Sequence, residues 1–411
     1  MRPTDGKQET LGRGAHRGVS MNENNIDRRT FVGGVAGAVL AGVPFTSQAR
    51  QAQANPATRI RLGVIGCGSV SHSYLPHLAN SPYVELVSAC DIIPERAKTQ
   101  AEAYAIPNQY PHIDLLLAGA PFDLLVNLTD MQEHERLNLQ AVAAGKHVWS
   151  EKPTANSLSA GQRLLAAAKK QGVKVWGAPA MVVSPQFAFM AHTVNSGVLG
   201  RLAAAHADYG HGGPDWAAFF YEKGGGSLPD LAVYNLTTLT GLLGPAKSVV
   251  AMTSVITPTR TISGRGEVKV VAEDNAMVLL DHGDGLISHV QSGFNYFNPN
   301  GHDGSKEQRH TITIVGTTGS LGLVGYDWEP LGVDLVTAND PTVTRHATEK
   351  ENFVWPMGAT LAAESLATGK PLLINPEHAL HVLEVIQAAR ESQDSGRRIH
   401  LRSSFSRPIL S

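Results

Sequence analysis

The chain has few cysteines and few aromatic residues, and its charges nearly cancel. Cys67 and Cys90 are the two cysteines in 411 residues, and we expect both to be buried as small hydrophobic residues. The 34 basic and 36 acidic side chains leave a net charge of −2, which argues against nucleic acid or an anionic membrane as a partner. Aromatic residues make up 6% and glycines number 41, a composition typical of an α/β enzyme with many tight turns.

Long apolar runs, repeats and clustered metal ligands are absent as well. The most prominent apolar run, residues 31–43, is too short to cross a bilayer, since a spanning helix needs about 20 residues. The 17 histidines include no closely spaced ligand set, so no metal site is expected. No repeat of fixed period and no low-complexity tract occurs. The length favours two domains over one.

Residues 1–54 are predicted to lie outside the fold. Arg28 and Arg29 begin a twin-arginine signal, residues 31–43 form its apolar region, and residues 52–54 offer a small-x-small cleavage site. A short membrane anchor is the alternative, but the apolar run is too short and no lipobox cysteine follows it.

The signal predicts export by the twin-arginine machinery. This route carries folded proteins, which suits a protein that must load a nucleotide before it leaves the cytoplasm. We expect the mature protein to be periplasmic or secreted and not attached to a membrane. Translation from Met21 rather than Met1 is an open alternative.

A strand, a glycine turn, a helix and a second strand follow one another near residue 60. Branched apolar residues at positions 60–65 predict a buried parallel strand. Gly66 permits a tight turn, and Gly68 lets the backbone approach a pyrophosphate at the start of the helix. Asp91 ends the second strand, where its carboxylate can accept a hydrogen bond from a ribose 2′-hydroxyl. An acid there favours NAD over NADP, and Arg96 softens this preference.

The third position of this fingerprint is Ser71 instead of glycine or alanine. A glycine turn in some other α/β protein is therefore the alternative interpretation. Further contacts to the cofactor are expected from residues beside the turn and after the later strands, namely Ser69, Val70, Leu128, Thr129, Glu151 and Lys152.

The order of strands and helices predicts an α/β fold with two domains. Alternating strands and helices over residues 59–178 predict a Rossmann domain with a doubly wound parallel sheet. Over residues 246–336 alternating runs with few helix signals predict one large, open and mostly antiparallel sheet. It belongs to a C-terminal α/β domain, residues 179–411, whose terminal helices can pack back on the Rossmann domain.

Lys152 follows a short strand on the nucleotide side of the first domain. Ligands of open α/β sheets sit beyond the carboxyl ends of the strands, so Lys152 should lie near the nicotinamide. A partly desolvated lysine beside a cationic ring would have a lowered pKa, and could hydrogen-bond a substrate hydroxyl and help move its proton. A solvated lysine at the end of a loop is the alternative.

Four motifs occur in the order IRLGVIGCGSVS, NLT, AGKHVWSEKP and GGGSLPDLAVYNLTTLTGLLG. In this order and spacing they resemble the glucose–fructose oxidoreductase, inositol dehydrogenase and MocA-like family, over nearly the whole chain after residue 58. The resemblance implies a Rossmann domain and a C-terminal α/β domain whose open sheet often supports dimers or tetramers. It also implies oxidation or reduction of sugars, polyols and their acids with a nicotinamide cofactor. We therefore expect a homodimer or homotetramer.

The resemblance assigns Lys152 as the catalytic lysine and Asp230 as the family's acid. Tyr234 stands where many members have a histidine. Asp230 and Tyr234 are four residues apart, so on a helix both should point toward the cleft. Because an unperturbed tyrosine has a pKa of about 10, Tyr234 can act as an acid or base only if its phenolate is stabilised. Whether Tyr234, Lys152 or both carry the proton stays open, and a packing role for Tyr234 is the alternative.

Four further residues are weaker candidates. His134 lies just past the NLT motif, where the family often has a histidine near the cofactor, although an exposed helix histidine is the alternative. The loop before the glycine triplet holds three residues that can line a sugar pocket or simply close the loop: His211, Trp216 and Tyr221.

These features predict an exported, NAD-dependent oxidoreductase acting on a sugar or polyol. A hydrolase or lyase that oxidises its substrate transiently and retains its cofactor is the first alternative, which export favours because the periplasm supplies no free NAD. A non-catalytic, nucleotide-loaded sugar-binding protein is the second. The presence of both Lys152 and Asp230 argues against it.

Overall fold

The computed structural model describes residues 58–299, 301–349 and 353–407. The predicted twin-arginine signal lies outside these ranges, and it stays a prediction. Within them, no helix combines the length and the apolarity that a bilayer crossing requires.

Six parallel strands form the first sheet. They are β1 (Ile60–Ile65), β2 (Val84–Cys90), β3 (Asn108–Tyr110), β4 (Leu124–Asn127), β5 (His147–Ser150) and β6 (Val175–Gly177). Five helices accompany them, α1 (Ser71–Asn80), α2 (Pro94–Ala103), α3 (Ile113–Ala118), α4 (His134–Ala143) and α5 (Leu158–Gln171). The strand order β3-β2-β1-β4-β5-β6 is that of a dinucleotide-binding Rossmann fold, so the predicted doubly wound sheet is confirmed.

A nine-stranded sheet dominates the second half, in the order β16-β15-β14-β13-β7-β12-β11-β8-β17. Its strands are β7 (Leu202–Gly210), β8 (Ser248–Ser254), β11 (Asn275–Gly283), β12 (Leu286–Gly293), β13 (His310–Gly316), β14 (Gly319–Tyr326), β15 (Glu329–Thr337), β16 (Thr344–His346) and β17 (Ile399–His400). Among the described strands of this sheet, β7 and β12 pair in parallel and the other neighbours are antiparallel. The prediction of a mostly antiparallel sheet is therefore confirmed.

The remaining elements surround this sheet. The helices are α6 (Pro185–Ser196), α7 (Val233–Leu243), α8 (Met357–Thr368) and α9 (Pro376–Ser395). A separate hairpin consists of β9 (Thr259–Ile262) and β10 (Gly266–Lys269).

One face of the nine-stranded sheet is covered and the other is open. Along β11 the side chains alternate, with Ala276 and Val278 fully buried and Met277 and Leu279 about half exposed. Helices α7 and α9 lie on the buried side, where α9 packs along β8 and α7 packs against β7 and β12. This one-sided burial is what an alternating sequence specifies in an antiparallel sheet.

Helix α8 comes late in the chain but packs against α1, β1, β2 and β5 of the first sheet. Gly358 makes this close approach possible, because a Cβ at that position would lie 2.0 Å from the Trp149 ring. One cluster of buried apolar side chains consequently runs through both halves of the chain.

Two features of the sheets position the candidate site. Strands β4 and β5 are neighbours, with Asn127 paired to Ser150, so the segments that follow them leave the sheet side by side. Strands β7 and β14 are both antiparallel to β13, so their carboxyl ends lie at the same end of the nine-stranded sheet.

The helix expected to carry Asp230 and Tyr234 does not begin as an α-helix. Residues Leu228–Ala232 form a π-helical turn, and α7 continues from Val233. Wider turns of this kind occur often at functional sites, and this one contains Asp230.

Candidate active site

The glycine turn after β1 has one sterically required glycine and one open glycine. Gly66 has φ +89°, and a Cβ there would lie 2.6 Å from the backbone carbon and oxygen of Leu128, so no other residue fits. Gly68 differs, because the nearest atom to its Cβ position is the Arg96 guanidinium at 3.7 Å. The open side of Gly68 leaves room for a phosphate group close to the backbone.

Asp91 is buried at the end of β2 and is held in place by two backbone donors. Its carboxylate oxygens accept hydrogen bonds from the Cys67 and Ile93 amides, each at 2.8 Å. A carboxylate has about four acceptor positions, so Asp91 retains capacity for a ribose hydroxyl. The predicted role at the tip of β2 therefore fits the geometry.

A cleft of about 930 Å³ lies beyond the carboxyl ends of β1, β2 and β4. Eight of the predicted cofactor residues line it, namely Gly66, Gly68, Ser69, Val70, Asp91, Arg96, Leu128 and Thr129. The opposite side, which we call the far wall, consists of residues 216–219, Glu222 and residues 262–265. Volume, glycine turn and buried acid together fit a nicotinamide dinucleotide.

His134 does not line this cleft, although it was predicted to contact the cofactor, and it is not the exposed histidine of the alternative. Its ring is buried between two carbonyl oxygens, with Nδ1 2.7 Å from Pro153 and Nε2 2.9 Å from Thr129. Burial lowers the pKa of His134, more than these carbonyls raise it. The imidazole ties the loop after β4 to the loop after β5, so its place is behind the cofactor loops.

Three further predicted residues, Lys152, Asp230 and Tyr234, lie outside the lining of the cleft, and so does Glu151. Its carboxylate accepts hydrogen bonds from the Tyr74 hydroxyl at 2.5 Å and from the Lys152 amide at 3.1 Å. Tyr74 is fully buried and accepts a hydrogen bond from the Trp149 indole at 3.3 Å. The residue thus anchors the loop that carries Lys152.

Lys152, Asp230 and Tyr234 come together as the sequence motifs predict. The Lys152 ammonium donates to the Asp230 carboxylate at 2.5 Å and to the Asp230 carbonyl at 2.9 Å. It also lies 5.2 Å from the centre of the Tyr234 ring. The side chains of the ion pair are each 11% exposed. Since an ammonium has three donors, Lys152 keeps one for a ligand.

The pKa of Lys152 moves in the direction opposite to our expectation. Burial lowers this pKa, but the charge of Asp230, with further contributions from Tyr234 and Glu151, raises it above the ordinary value. The expectation was wrong for this structure because it considered desolvation and a cationic ring but not the contact with Asp230. Burial raises the pKa of Tyr234 as well, and the nearby Lys152 offsets this only in part. Both groups are therefore protonated at neutral pH.

Aromatic side chains surround Tyr234 on the side of the nine-stranded sheet. The ring of Tyr209 lies 6.1 Å from that of Tyr234 and 4.6 Å from that of Tyr326, and Tyr326 stacks on Trp328 at 5.5 Å. His302 stacks on Trp328 at 5.3 Å. We call Tyr209, His211, His302, Tyr326 and Trp328 the aromatic cluster.

Of this cluster, His211 alone was predicted. It is buried with its ring 4.7 Å from that of His302, and burial lowers its pKa to about 4. Tyr209 and Tyr326 lie at the carboxyl ends of β7 and β14, which terminate at the same end of the sheet. Aromatic residues at strand ends were thus the one signal in the sequence that pointed to them.

The two other predicted sugar-binding residues lie elsewhere. Trp216 is 47% exposed and belongs to the far wall of the nucleotide cleft. Tyr221 is buried, and its hydroxyl donates to the Pro214 carbonyl at 2.6 Å while the Arg260 guanidinium lies 5.0 Å over its ring. Tyr221 therefore closes its own loop, which matches the alternative given for it.

The cysteines and the acidic residues form no further centre in the described part of the chain. Cys67 and Cys90 are both free and buried, and burial raises the pKa of each thiol to about 12. Residues 58–299, 301–349 and 353–407 contain no group of three or more possible metal ligands.

Sequence comparison gives the family. Residues 60–178 match the oxidoreductase family with an NAD-binding Rossmann fold, and residues 187–322 match the GFO/IDH/MocA C-terminal domain. D-Apiose dehydrogenase of Rhizobium rhizogenes is 23% identical over 84% of this chain and 98% of its own length. D-Xylose dehydrogenase of Paenarthrobacter nicotinovorans is 24% identical over 47% of this chain and 53% of its own length.

Solved structures agree on the fold. Levoglucosan dehydrogenase in complex with NADH and L-sorbose superposes with a TM-score of 0.73 at 17% identity, covering 84% of this chain and 100% of that one. Aldose-aldose oxidoreductase of Caulobacter crescentus gives 0.71 at 22% identity, with the same coverage. With its Rossmann cleft and matched domains, the chain is an NAD-binding oxidoreductase that belongs to the GFO/IDH/MocA family.

Proposed function

We propose that the protein is an exported oxidoreductase that transfers a hydride between a sugar or polyol carbinol and NAD. The observation that carries the proposal is the Lys152 ammonium, buried against Asp230 and Tyr234 with one donor remaining. Lys152 follows β5, one strand spacing, about 4.8 Å, from the β4 segment that lines the cleft. A non-catalytic role fits less well, because such a site does not need this arrangement.

The nicotinamide ring supplies the hydride acceptor or donor when the cofactor is bound. Lys152 and Tyr234 hydrogen-bond the substrate oxygen, and in the reductive direction one of them gives its proton to the forming hydroxyl. In the oxidative direction one of them must first lose its proton, so oxidation becomes faster as pH rises. Asp230 holds the ammonium in place and keeps it charged.

A carbohydrate fits the surroundings of Tyr234. Of the aromatic cluster, His302 is exposed and Trp328 is half-buried, so these two rings can face the C–H surfaces of a sugar, while Tyr209 and Tyr326 are buried. The sugar dehydrogenases among the relatives support this substrate class.

The test has two steps. Mass spectrometry of nucleotide released from the denatured native protein should detect NAD, and a panel of sugars and polyols should then change the absorbance of reduced nicotinamide. Lys152→Met should lower the rate about 10²–10⁴-fold, as for loss of a general acid–base group. A protein that retains NAD but oxidises and reduces no member of the panel would contradict the proposal.

The far wall supports a second candidate, a hydrolase or lyase that oxidises its substrate transiently. Such an enzyme reuses one retained cofactor, and the cleft is walled by both halves of the chain. Glycosides would then be cleaved with no net formation of reduced nicotinamide and with NAD far below the substrate concentration. Net reduction of NAD in proportion to product would exclude this candidate.

We also propose a homodimer or homotetramer built on the open face of the nine-stranded sheet. Apolar side chains that are 40% to 76% exposed lie together on β8, β11 and β12, namely Val250, Met252, Met277, Leu279 and Ile287. A continuous patch of this kind marks an interface. Light scattering should give a multiple of the monomer mass, and Met277→Asp should reduce it. An unchanged monomer mass in the wild type would contradict the proposal.

Export by the twin-arginine route, to the periplasm or the medium, completes the proposal. Replacement of both Arg28 and Arg29 by lysine should keep the precursor in the cytoplasm, because the twin arginines are read by a receptor. Normal amounts of the double variant outside the cytoplasm would contradict this part.

A further inference from the structure

The far wall of the nucleotide cleft comes from the second half of the chain, and it is a rigid structure. Ile262 and Val270, at opposite ends of the β9–β10 hairpin, are buried in one cluster with Phe220. The Ser263 amide donates to the Asp215 carbonyl at 2.7 Å, which fixes the hairpin turn to the loop that carries Trp216. The turn at residues 263–265 is therefore held in place before any ligand binds.

The far wall packs against the segment that follows β4. Gln132 donates to the Phe219 carbonyl at 3.0 Å, and Met131 is buried in the same cluster as Phe220 and Ile262. Both residues belong to the segment that follows β4, and this segment starts at Leu128, directly against Gly66. The hairpin turn and the glycine turn, where the diphosphate of a dinucleotide binds, thus line the same cleft.

Arg265 is the cationic side chain that the far wall presents to the cleft. It is 61% exposed, and its guanidinium lies 3.0 Å from the carboxylate of Glu222, which is 48% exposed. An ion pair this exposed contributes little to stability. A diphosphate carries two negative charges and accepts two parallel hydrogen bonds from a guanidinium, so it is the stronger partner.

We infer that Arg265, in the second half of the chain, is a cofactor ligand. When NAD binds, the Arg265 guanidinium exchanges Glu222 for the diphosphate, and this contact slows release of the cofactor. The inference rests on the NAD-binding role of the cleft and adds a residue outside the Rossmann fingerprint. It predicts that cofactor retention depends on the β9–β10 hairpin as well as on the glycine turn.

Binding of NAD⁺ and of ADP-ribose to the full chain, freed of bound nucleotide, provides the test, with calorimetry for affinity and stopped-flow fluorescence for dissociation. Arg265→Ala should weaken both ligands about tenfold, chiefly through faster dissociation. Arg265→Lys should lie between, since it keeps the charge and loses the paired hydrogen bonds. Lys269→Ala, which removes the same charge from the same hairpin outside the cleft, should bind like the wild type.

The Glu222→Gln variant distinguishes a direct contact between Arg265 and the cofactor from a purely structural role of the Arg265–Glu222 ion pair. If Arg265 binds the diphosphate, Glu222→Gln frees it and leaves NAD⁺ affinity unchanged or higher. If the ion pair itself held the cleft shut, Glu222→Gln and Arg265→Ala would loosen NAD⁺ equally, and the inference would be overturned. Wild-type affinity in Arg265→Ala, with an unchanged melting curve, would overturn it too. Failure of the wild type to bind NAD⁺ would instead remove the proposed function, and this inference with it.

Discussion

Replacing Asp230 by asparagine should lower the pKa of Lys152, because the charge of Asp230 stabilises the Lys152 ammonium. The change preserves the size of the side chain and its carbonyl oxygen while removing the negative charge 2.5 Å from the ammonium. Without that charge, the main remaining influence on the pKa of Lys152 is burial, which lowers it. We therefore expect a pKa below the ordinary value for lysine.

The magnitude follows from the contact distance. At 2.5 Å and an effective dielectric constant of about 20, two unit charges attract by roughly 6–7 kcal/mol. One pKa unit corresponds to about 1.4 kcal/mol, so the limit is a fall of roughly four to five units. The residual 11% exposure of each side chain and the nearby Glu151 reduce this limit. The expected fall stays large enough to bring the pKa of Lys152 below the ordinary value for lysine.

The pKa can be measured without knowing the substrate. Only a neutral amine reacts with an acylating reagent, so the extent of Lys152 modification against pH, followed by peptide mass spectrometry, gives its titration. The midpoint should move to lower pH in Asp230→Asn, and sugar oxidation should begin at a correspondingly lower pH. Asp327→Asn is the control, because it removes another buried carboxylate, bound to Asn235 and Thr238 of α7, and should leave the midpoint unchanged.

A result with the same midpoint in Asp230→Asn and the wild type would refute the reasoning. It would mean that Lys152 is charged in this structure for a reason other than Asp230. A loss of activity alone would not decide the matter, since the neutral amide oxygen of asparagine also accepts a weaker hydrogen bond from the ammonium than the carboxylate does.

Three further outcomes are expected. Asp91→Ala should weaken the binding of NAD and reduce the difference in affinity between NAD and NADP in a binding titration, because a 2′-phosphate no longer faces a carboxylate. Unchanged affinities for both nucleotides would contradict the ribose assignment. Gly66→Ala should lower the free energy of unfolding by several kcal/mol in a denaturant titration, whereas Gly145→Ala should lower it by about 1 kcal/mol. Gly145 also has a positive φ, but no atom lies within 4 Å of its Cβ position. Equal losses of stability would contradict the steric argument. His381 accepts a hydrogen bond from the Ala246 amide through Nε2, and burial lowers the pKa of His381 to about 4. The stability that it contributes is therefore complete above about pH 6.5 and is lost, to the extent of roughly 3 kcal/mol, as pH falls through 4. In His381→Gln the free energy of unfolding should depend less on pH in this acidic range.

The first sheet could be predicted because its information is local. A buried strand, two glycines and an acid occur within one short stretch, and each has a steric or hydrogen-bonding reason to be there. Strand β3 and helix α3 could not be predicted. The three residues of β3 include no aliphatic side chain, and its place at the edge of the sheet comes from pairing with β2.

The site was predictable only where a motif carried it. Lys152, Asp230 and Tyr234 were found through the family resemblance, and their contact is present. The aromatic cluster joins side chains from positions 209 to 328, and no local pattern links strand ends that are brought together by β13. The pKa of Lys152 was misjudged for a related reason, since its sign depends on a contact between residues 78 positions apart.

The packing of α8 has a consequence for how the chain is made. This helix covers β1, β2 and β5, yet it begins between about 200 and 300 positions after them and leaves the ribosome late. The nucleotide-binding half is thus left with an uncovered apolar face until α8 has been synthesised. A chain truncated before Met357 would keep the whole dinucleotide fingerprint and still expose Trp149, so we expect such a fragment to aggregate instead of binding NAD as an independent domain.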